Sequence, residues 1–267
     1  MSRERRARFA ELHARDAIFV MPNPWDAGSA KLLAGCGAEA LATTSAGYAW
    51  TLGRLDGRVA RDELVAHVAE VAAATPLPLN VDSERCFPDD EGGVAMTVRL
   101  LGEAGAAGCS IEDWNPGDGR IDDVGLATER VAEAAEAARA FDPPMVLTGR
   151  CENHLHGVAD LDDTIARLVA YRDAGADCVY APWLSSTDQI AAVVDAVAVP
   201  VNVLATPATP PVPELARVGV RRVSTGSLLA SAAYGALLAG ARELLADGTS
   251  TYTRASMTQA EREAAFG

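Results

Sequence analysis

Four times along this 267-residue chain, a small glycine-bearing turn separates an apolar stretch of helical period from a short apolar run. The turns are Ala34-Gly35-Cys36-Gly37-Ala38, Ala104-Gly105-Ala106-Ala107-Gly108, Ala174-Gly175-Ala176-Asp177 and Val218-Gly219-Val220-Arg221. A glycine there supplies the left-handed residue that helix C-termini often need. Each turn therefore reads as helix-to-strand, and all of them lie on one side of the strands. The alternation extends to the whole chain. Strands are predicted at 17–21, 38–43, 79–82, 108–111, 144–148, 177–181, 199–205 and 221–224. Helices are predicted at 3–14, 27–34, 60–74, 93–104, 127–140, 161–174, 188–197, 214–218 and 227–246, with a last one from 258. Residues 44–58 and 114–125 read as loops. Eight short apolar strands alternating with helices predict an α/β fold, a closed (β/α)8 barrel of the TIM type. The alternative is a doubly wound open sheet. Its dinucleotide-binding form has a glycine-rich loop after the first strand, and Pro22-Asn23-Pro24-Trp25-Asp26 is unlike one. The length suits one such barrel over 1–267, with 247–267 as a C-terminal tail.

In a barrel the reactive groups belong at the carboxyl ends of the strands. The polar residues predicted there are Ser45, Asp82, Glu84, Glu112, Asp113, Arg150, Glu152 and Asn202, and the opposite strand ends have no comparable set. Asp82 and Glu84 follow an apolar strand one residue apart, so an extended backbone would point both the same way. Two unpaired carboxylates side by side repel. A divalent cation removes that cost, and Mg²⁺ takes oxygen ligands. The alternative for these acids is a solvated loop or a helix cap.

Composition narrows the partners. Apolar residues make up 49% of the chain, enough for a sizeable core. The formal net charge of −14 argues against nucleic acid, whose binding rests on phosphate neutralisation. No apolar run approaches the ~18 residues of a membrane span. The charged start, Met-Ser-Arg-Glu-Arg-Arg, lacks the apolar stretch of a signal peptide. The five cysteines have no Cys-x-x-Cys spacing and read as reduced, mainly structural thiols of a cytoplasmic protein.

From about residue 9 to residue 246 the chain resembles the isocitrate lyase and phosphoenolpyruvate mutase family. Asn23-Pro24-Trp25-Asp26 is similar to its opening turn, and five further motifs follow in order. Thr43-Thr44-Ser45-Ala46-Gly47 resembles the loop whose hydroxyl and amides hold the substrate. Leu52-Gly53-Arg54-Leu55-Asp56-Gly57 is similar to Leu-Gly-x-x-Asp, and Asn80-Val81-Asp82-Ser83-Glu84 stands where the Asp-x-Asp metal motif belongs. Ile111-Glu112-Asp113 matches Ile-Glu-Asp, and Gly149-Arg150-Cys151-Glu152 matches Ala-Arg-x-Glu. The resemblance implies Mg²⁺, or Mn²⁺, at Asp82, with Asp56, Glu84 and Glu112 reaching it directly or through water. It implies that Arg150 pairs with a substrate carboxylate beside Ser45 and the Ala46 and Gly47 amides, with Asn202 also lining the substrate site. Glu112 is a further catalytic candidate, and Tyr48 offers the nearest spare hydroxyl to the implied enolate; packing is its alternative role.

The departures bear on the reaction. The family's lyases carry a Lys/Arg-Cys-Gly-His loop after the fourth strand, whose Cys is the acid. Here that loop reads Trp114-Asn115-Pro116-Gly117-Asp118-Gly119-Arg120. Glu84 replaces the second Asp of the metal motif, and Arg85-Cys86-Phe87-Pro88 replaces a Gly-aromatic-Gly turn. His154 and His156 follow Arg150 as ligand or acid candidates, or as surface residues. The expectation is a Mg²⁺-dependent carbon–carbon lyase or decarboxylase acting on a small 2-oxo or 2-hydroxy acid through a pyruvate-like enolate. The alternatives are a phosphorus–carbon mutase or hydrolase and a non-catalytic 2-oxo acid binder. Residues 227–246 are apolar nearly all round. With the family's exchange of last helices, that predicts a homotetramer, a dimer of dimers, with the tail on a neighbouring subunit.

Overall fold

The computed structural model describes residues 2–267. Its barrel strands are β1 (Phe19–Met21), β2 (Leu41–Ala42), β3 (Leu79–Asp82), β4 (Gly108–Glu112), β5 (Val146–Arg150), β6 (Cys178–Tyr180), β7 (Val201–Leu204) and β8 (Arg222–Ser224). They form one parallel sheet in the order β1-β8-β7-β6-β5-β4-β3-β2. Its two ends meet at a seam. There the Ala42 N–H donates to the Pro22 carbonyl at 3.1 Å, and the Asn23 side-chain amide donates to the Thr43 carbonyl at 2.8 Å. The predicted (β/α)8 barrel is the architecture observed. Its helix-to-strand turns work as the sequence requires: Gly37, Gly105, Gly175 and Gly219 all have positive φ, between 88° and 110°.

The main core lies between the strands and the surrounding helices and contains Val81, Leu101, Leu147, Leu168 and Val193. A second core fills the amino-terminal end of the barrel. There the helix Ser2–Ala14 inserts Phe9 and Leu12 against Phe19, Ala40 and Val146. The barrel is thus stoppered below and open above. Parallel register sets what faces the open end. Arg222 stands opposite Asn202, Asn202 opposite Tyr180, Tyr180 opposite Arg150 and Arg150 opposite Glu112. Side chains in register share a face of the sheet, so five strands contribute one polar row.

Two predicted loops contain regular structure. Within 44–58 lies the helix Ser45–Thr51, started by Thr44, whose hydroxyl accepts the Gly47 N–H at 3.3 Å. Within 114–125 a short antiparallel hairpin pairs Trp114–Asn115 with Arg120–Ile121, and the next helix begins at Val124. The helix Leu228–Asp247 leaves the barrel wall, and only Ala230 and Gly240 along it are buried. It is long and apolar enough to cross a membrane by length and composition, with a mean hydropathy of 1.3. That is more than the sequence reading allowed. Beyond it, Tyr252 rests on Gly240, and the last helix, Gln259–Phe266, lies against Ala27–Gly35 of the same chain.

Candidate active site

Arg150 ends β5 and reaches across the barrel mouth, 13% exposed. Three carboxylates surround its guanidinium. Its Nε donates to Glu152 at 2.8 Å, one terminal nitrogen lies 3.1 Å from Glu112, and the other bonds Asp82. The other Asp82 oxygen accepts the Ser45 N–H at 3.0 Å, and the Asp82 N–H donates to the Thr43 hydroxyl at 2.9 Å. The ends of β2, β3, β4 and β5 are thereby tied together. Glu152 is itself held from below: its N–H donates to buried Asp113, which also accepts the Tyr171 hydroxyl at 2.6 Å.

Ser45, Ala46, Asp56, Asp82, Arg150 and Asn202 line one cavity of about 260 Å³. Glu84 and Glu112 line a second, of about 290 Å³, which shares Ser45, Asp56 and Arg150 with the first. Eight of the ten residues singled out by sequence therefore meet around Arg150. Two do not. Tyr48 is corrected: its hydroxyl donates to the Glu63 carbonyl at 3.3 Å, and its ring stacks on His67 with centroids 3.8 Å apart. It lines neither cavity, because the unforeseen helix turns it away from the mouth. Gly47 is corrected too. Its amide is spent on the Thr44 cap, and it is buried against Trp25. Asn202 lines the cavity, but its side chain already accepts from Arg222 at 2.9 Å and donates to Ser224 at 2.8 Å.

The electrostatics of the mouth are crowded. Burial first, then Asp56 and Asp82, push the Glu84 carboxyl up to about 8. Burial, then Asp82, raises Asp56. Glu112 is held well above the usual carboxylate range by burial, against the pull of Arg150. Burial likewise pushes Glu152 up to about 7. These acids repel one another in a low-dielectric place, the situation a divalent cation relieves. The donors are all oxygen, which suits Mg²⁺. Among the described residues no three Asp, Glu, His or Cys side chains converge as a complete metal shell. Arg150 occupies part of the Asp82 and Glu112 oxygens. The residues present therefore fit a hydrated divalent cation that Asp82, with Asp56, Glu84 and Glu112, would hold directly or through water. Glu84 is presented by a turn in which Glu84, Cys86 and Phe87 all hold positive φ, at 49°, 58° and 47°. Non-glycine residues adopt that conformation only where packing imposes it.

His156 stacks on Trp114 with centroids 3.4 Å apart and lines the second cavity. His154 leaves its Nε2 buried without a hydrogen bond. Cys86 and Cys151 are buried thiols that burial raises, as structural cysteines should be, and no disulfide links the described residues. Sequence reasoning missed Asn23, Asn80, Tyr180, Trp183 and Arg222, all of which line the first cavity. The signal for Asn23 was present in its Asn-Pro-Trp-Asp turn. Its Oδ1 accepts the Thr225 N–H at 2.8 Å and the Gly226 N–H at 3.0 Å, clasping the β8 end to the β1 end. The signal for Arg222 was a charge inside an apolar strand.

A parallel barrel with carboxylates and one clamped arginine at its carboxyl-terminal mouth defines a class of α/β barrels with a polar site at the strand ends. Comparison makes the class specific. The family profile described as phosphoenolpyruvate phosphomutase matches residues 9–245, and the chain belongs to the isocitrate lyase and phosphoenolpyruvate mutase family. It is 34% identical to an uncharacterised Mycobacterium tuberculosis protein over 84% of this chain and 83% of that one. It is 32% identical to an oxaloacetate decarboxylase of Paraburkholderia xenovorans, over 76% of this chain and 69% of the other. A crystal structure from Burkholderia cenocepacia, described only as a lyase or mutase, superposes with a TM-score of 0.93. It is 50% identical and covers 98% of this chain and 95% of that one.

Proposed function

We propose that the protein is a Mg²⁺-dependent carbon–carbon lyase or decarboxylase that acts on a small 2-oxo or 2-hydroxy carboxylic acid through a pyruvate-like enolate. The observation that carries this reading is the Arg150 guanidinium, poised among Asp82, Glu112 and Glu152 on the wall of the first cavity. Its planar fork suits a substrate carboxylate. Ser45 and the Ala46 backbone flank the same space. Asp82, with Asp56, Glu84 and Glu112 around it, would hold the cation. Bound there, Mg²⁺ supplies Lewis acidity toward the carboxylate and keto oxygens of the acid. Asp113 and Tyr171 hold Glu152, and through it Arg150, in place. The 32% identity to an oxaloacetate decarboxylase supports decarboxylation in particular.

The test is product analysis with a panel of 2-oxo and 2-hydroxy acids in Mg²⁺. Release of pyruvate or CO₂ that Asp82→Ala abolishes, with the fold intact by circular dichroism, is the expected result. Phosphonate products would favour phosphorus–carbon chemistry, to which the family profile gives standing. Ligand-dependent stabilisation without turnover of any acid would favour a binding protein. The same reading makes the protein a cytoplasmic homotetramer with no nucleic-acid or membrane partner.

A further inference from the structure

The turn that carries Glu84 contains no glycine. It reads Ser83-Glu84-Arg85-Cys86-Phe87-Pro88, and three of its residues hold positive φ. A left-handed residue with a side chain costs free energy that its surroundings must offset. Backbone bonds supply part of this. The Cys86 N–H donates to the Ser83 carbonyl at 2.8 Å, and the Glu112 N–H donates to the Glu84 carbonyl at 2.9 Å. The Arg85 side chain, 16% exposed, supplies another part by donating to Asp122 at 3.2 Å. Its other terminal nitrogen lies 3.6 Å from Asp89, whose side chain is 89% exposed, a pair that water weakens. Asp122 lines neither cavity and is 2% exposed. The oxygen that accepts from Arg85 also accepts from Arg130 of the helix Val124–Arg139, and the other accepts the Asn115 side-chain amide at 3.2 Å. Arg130 is buried, and its Nε and second terminal nitrogen have no hydrogen-bond partner among the described residues. The Asp122 backbone adds two ties: its N–H donates to the Asp113 carbonyl at 2.8 Å, and its carbonyl accepts from Arg167 at 2.9 Å. One buried carboxylate therefore joins the Glu84 turn to the hairpin, to the next helix and to the Asp113 that holds Glu152.

We propose that Asp122 is a positioning residue: through Arg85 it holds the left-handed turn that presents Glu84 to the cation. This rests on the reading of Glu84 as one of the cation's acids. A carboxylate shared by two largely buried guanidiniums cannot move without leaving both unpaired, so it is a fixed anchor. Arg85 lies between the two backbone bonds of the turn, so its side chain sets the path of the chain on which Glu84 sits. With the anchor gone, Glu84, Cys86 and Phe87 are free to leave the left-handed region, and the Glu84 carboxylate loses its aim into the second cavity. Groups that orient a metal's ligands contribute to its affinity without touching it.

The test is Mn²⁺ binding to the full chain, read from the spin-resonance signal of the free ion, with the fold checked by circular dichroism. Arg85→Gln is expected to weaken binding at least about tenfold. Adding Asp122→Asn to it should weaken binding no further, because both changes break the same link. In a Glu84→Gln background, Arg85→Gln should change the affinity by less than about twofold. A second readout needs no metal: the Cys86 and Glu112 amides, bonded to carbonyls of the turn, are expected to exchange with deuterium at least about tenfold faster in Arg85→Gln. Unchanged Mn²⁺ affinity in folded Arg85→Gln overturns the proposal, as do unchanged exchange rates. A further loss in the Glu84→Gln background also overturns it, since the ion pair would then serve the fold and not Glu84. Arg85→Gln decides even if Asp122→Asn, which strands two guanidiniums, does not fold. A wild type that binds no Mn²⁺ would overturn the cation reading instead, and the exchange rates would still decide whether Asp122 holds the turn.

Discussion

One guanidinium among three carboxylates has more acceptors than it needs, and an incoming carboxylate that offers two parallel bonds competes well for it. Arg150→Lys keeps the charge and loses the fork. Affinity for oxalate or pyruvate is expected to fall at least about tenfold, roughly 1.4 kcal/mol, and an unchanged dissociation constant by calorimetry would remove Arg150 from the substrate. Tyr48 gives the opposite expectation. Its hydroxyl serves the Glu63 carbonyl, outside both cavities. Tyr48→Phe should leave turnover within about twofold and cost about 1 kcal/mol of stability or less; a collapse of turnover with the fold intact would restore it to the site. Gly47 is held by contact: a Cβ there would lie 2.5 Å from Thr44 Cγ2 and 3.1 Å from Trp25 Cβ. Gly47→Ala should cost about 1–3 kcal/mol in urea unfolding. The charged residues were legible because a carboxylate or guanidinium at the end of an apolar strand has few other reasons to be there. Tyr48 and Gly47 were not, because their orientation depends on a helix of which only the Thr44 cap hints. Arg222 carried a signal, a charge inside an apolar strand, but its environment was not legible because its partner His13 lies 209 residues away in sequence.

The barrel strands and helices follow from period and from the glycine turns, which is why the element order was readable from the chain. The role of the first helix was not. The helix Ser2–Ala14 opens on a charged run, yet Phe9, Leu12 and His13 are buried beneath the strands. Only closure of the barrel creates the opening that they fill. This placement has a pH signature. His13 titrates at about 3 when folded and near 6.5 when unfolded, so the unfolded chain binds a proton that the folded chain refuses. Stability present above pH 6.5 is therefore lost as pH falls toward 3, by about 2 kcal/mol at pH 5. Glu84 and Glu152 act in the other direction, because their raised values favour the protonated folded state as pH falls. The comparison is accordingly between wild type and His13→Gln, unfolded in urea with chelator at pH 7.5 and pH 5. The variant should lose about 2 kcal/mol less than wild type between the two. Equal losses would mean that His13 takes up its proton as an exposed histidine does.

At the scale of the molecule, the helix Leu228–Asp247 is the part that one chain does not satisfy. Leu237, Leu238, Leu244 and Leu245 are 65%, 54%, 48% and 87% exposed, and Ala232, Ala233, Gly235, Ala236 and Ala239 leave the backbone open to close approach. A contiguous apolar surface of this kind seldom faces water in a monomer. The chain's own tail covers little of it, since Thr251–Ala255 reaches only the far end and Gln259–Phe266 lies on Ala27–Gly35 instead. A second copy is the economical cover, because a symmetric pair buries the same face twice. Arg242, Glu243 and Asp247 at the end of the helix fit an aqueous interface better than a bilayer. Light scattering at micromolar concentration without detergent is expected to give about four times the 27.8 kDa of one chain, and Leu237→Glu with Leu245→Glu is expected to shift the species toward smaller ones by burying charge at the contact. A single 27.8 kDa species, or quantitative capture of the wild type by lipid vesicles, would refute the assembly, because either result means that this helix has no need of a second chain.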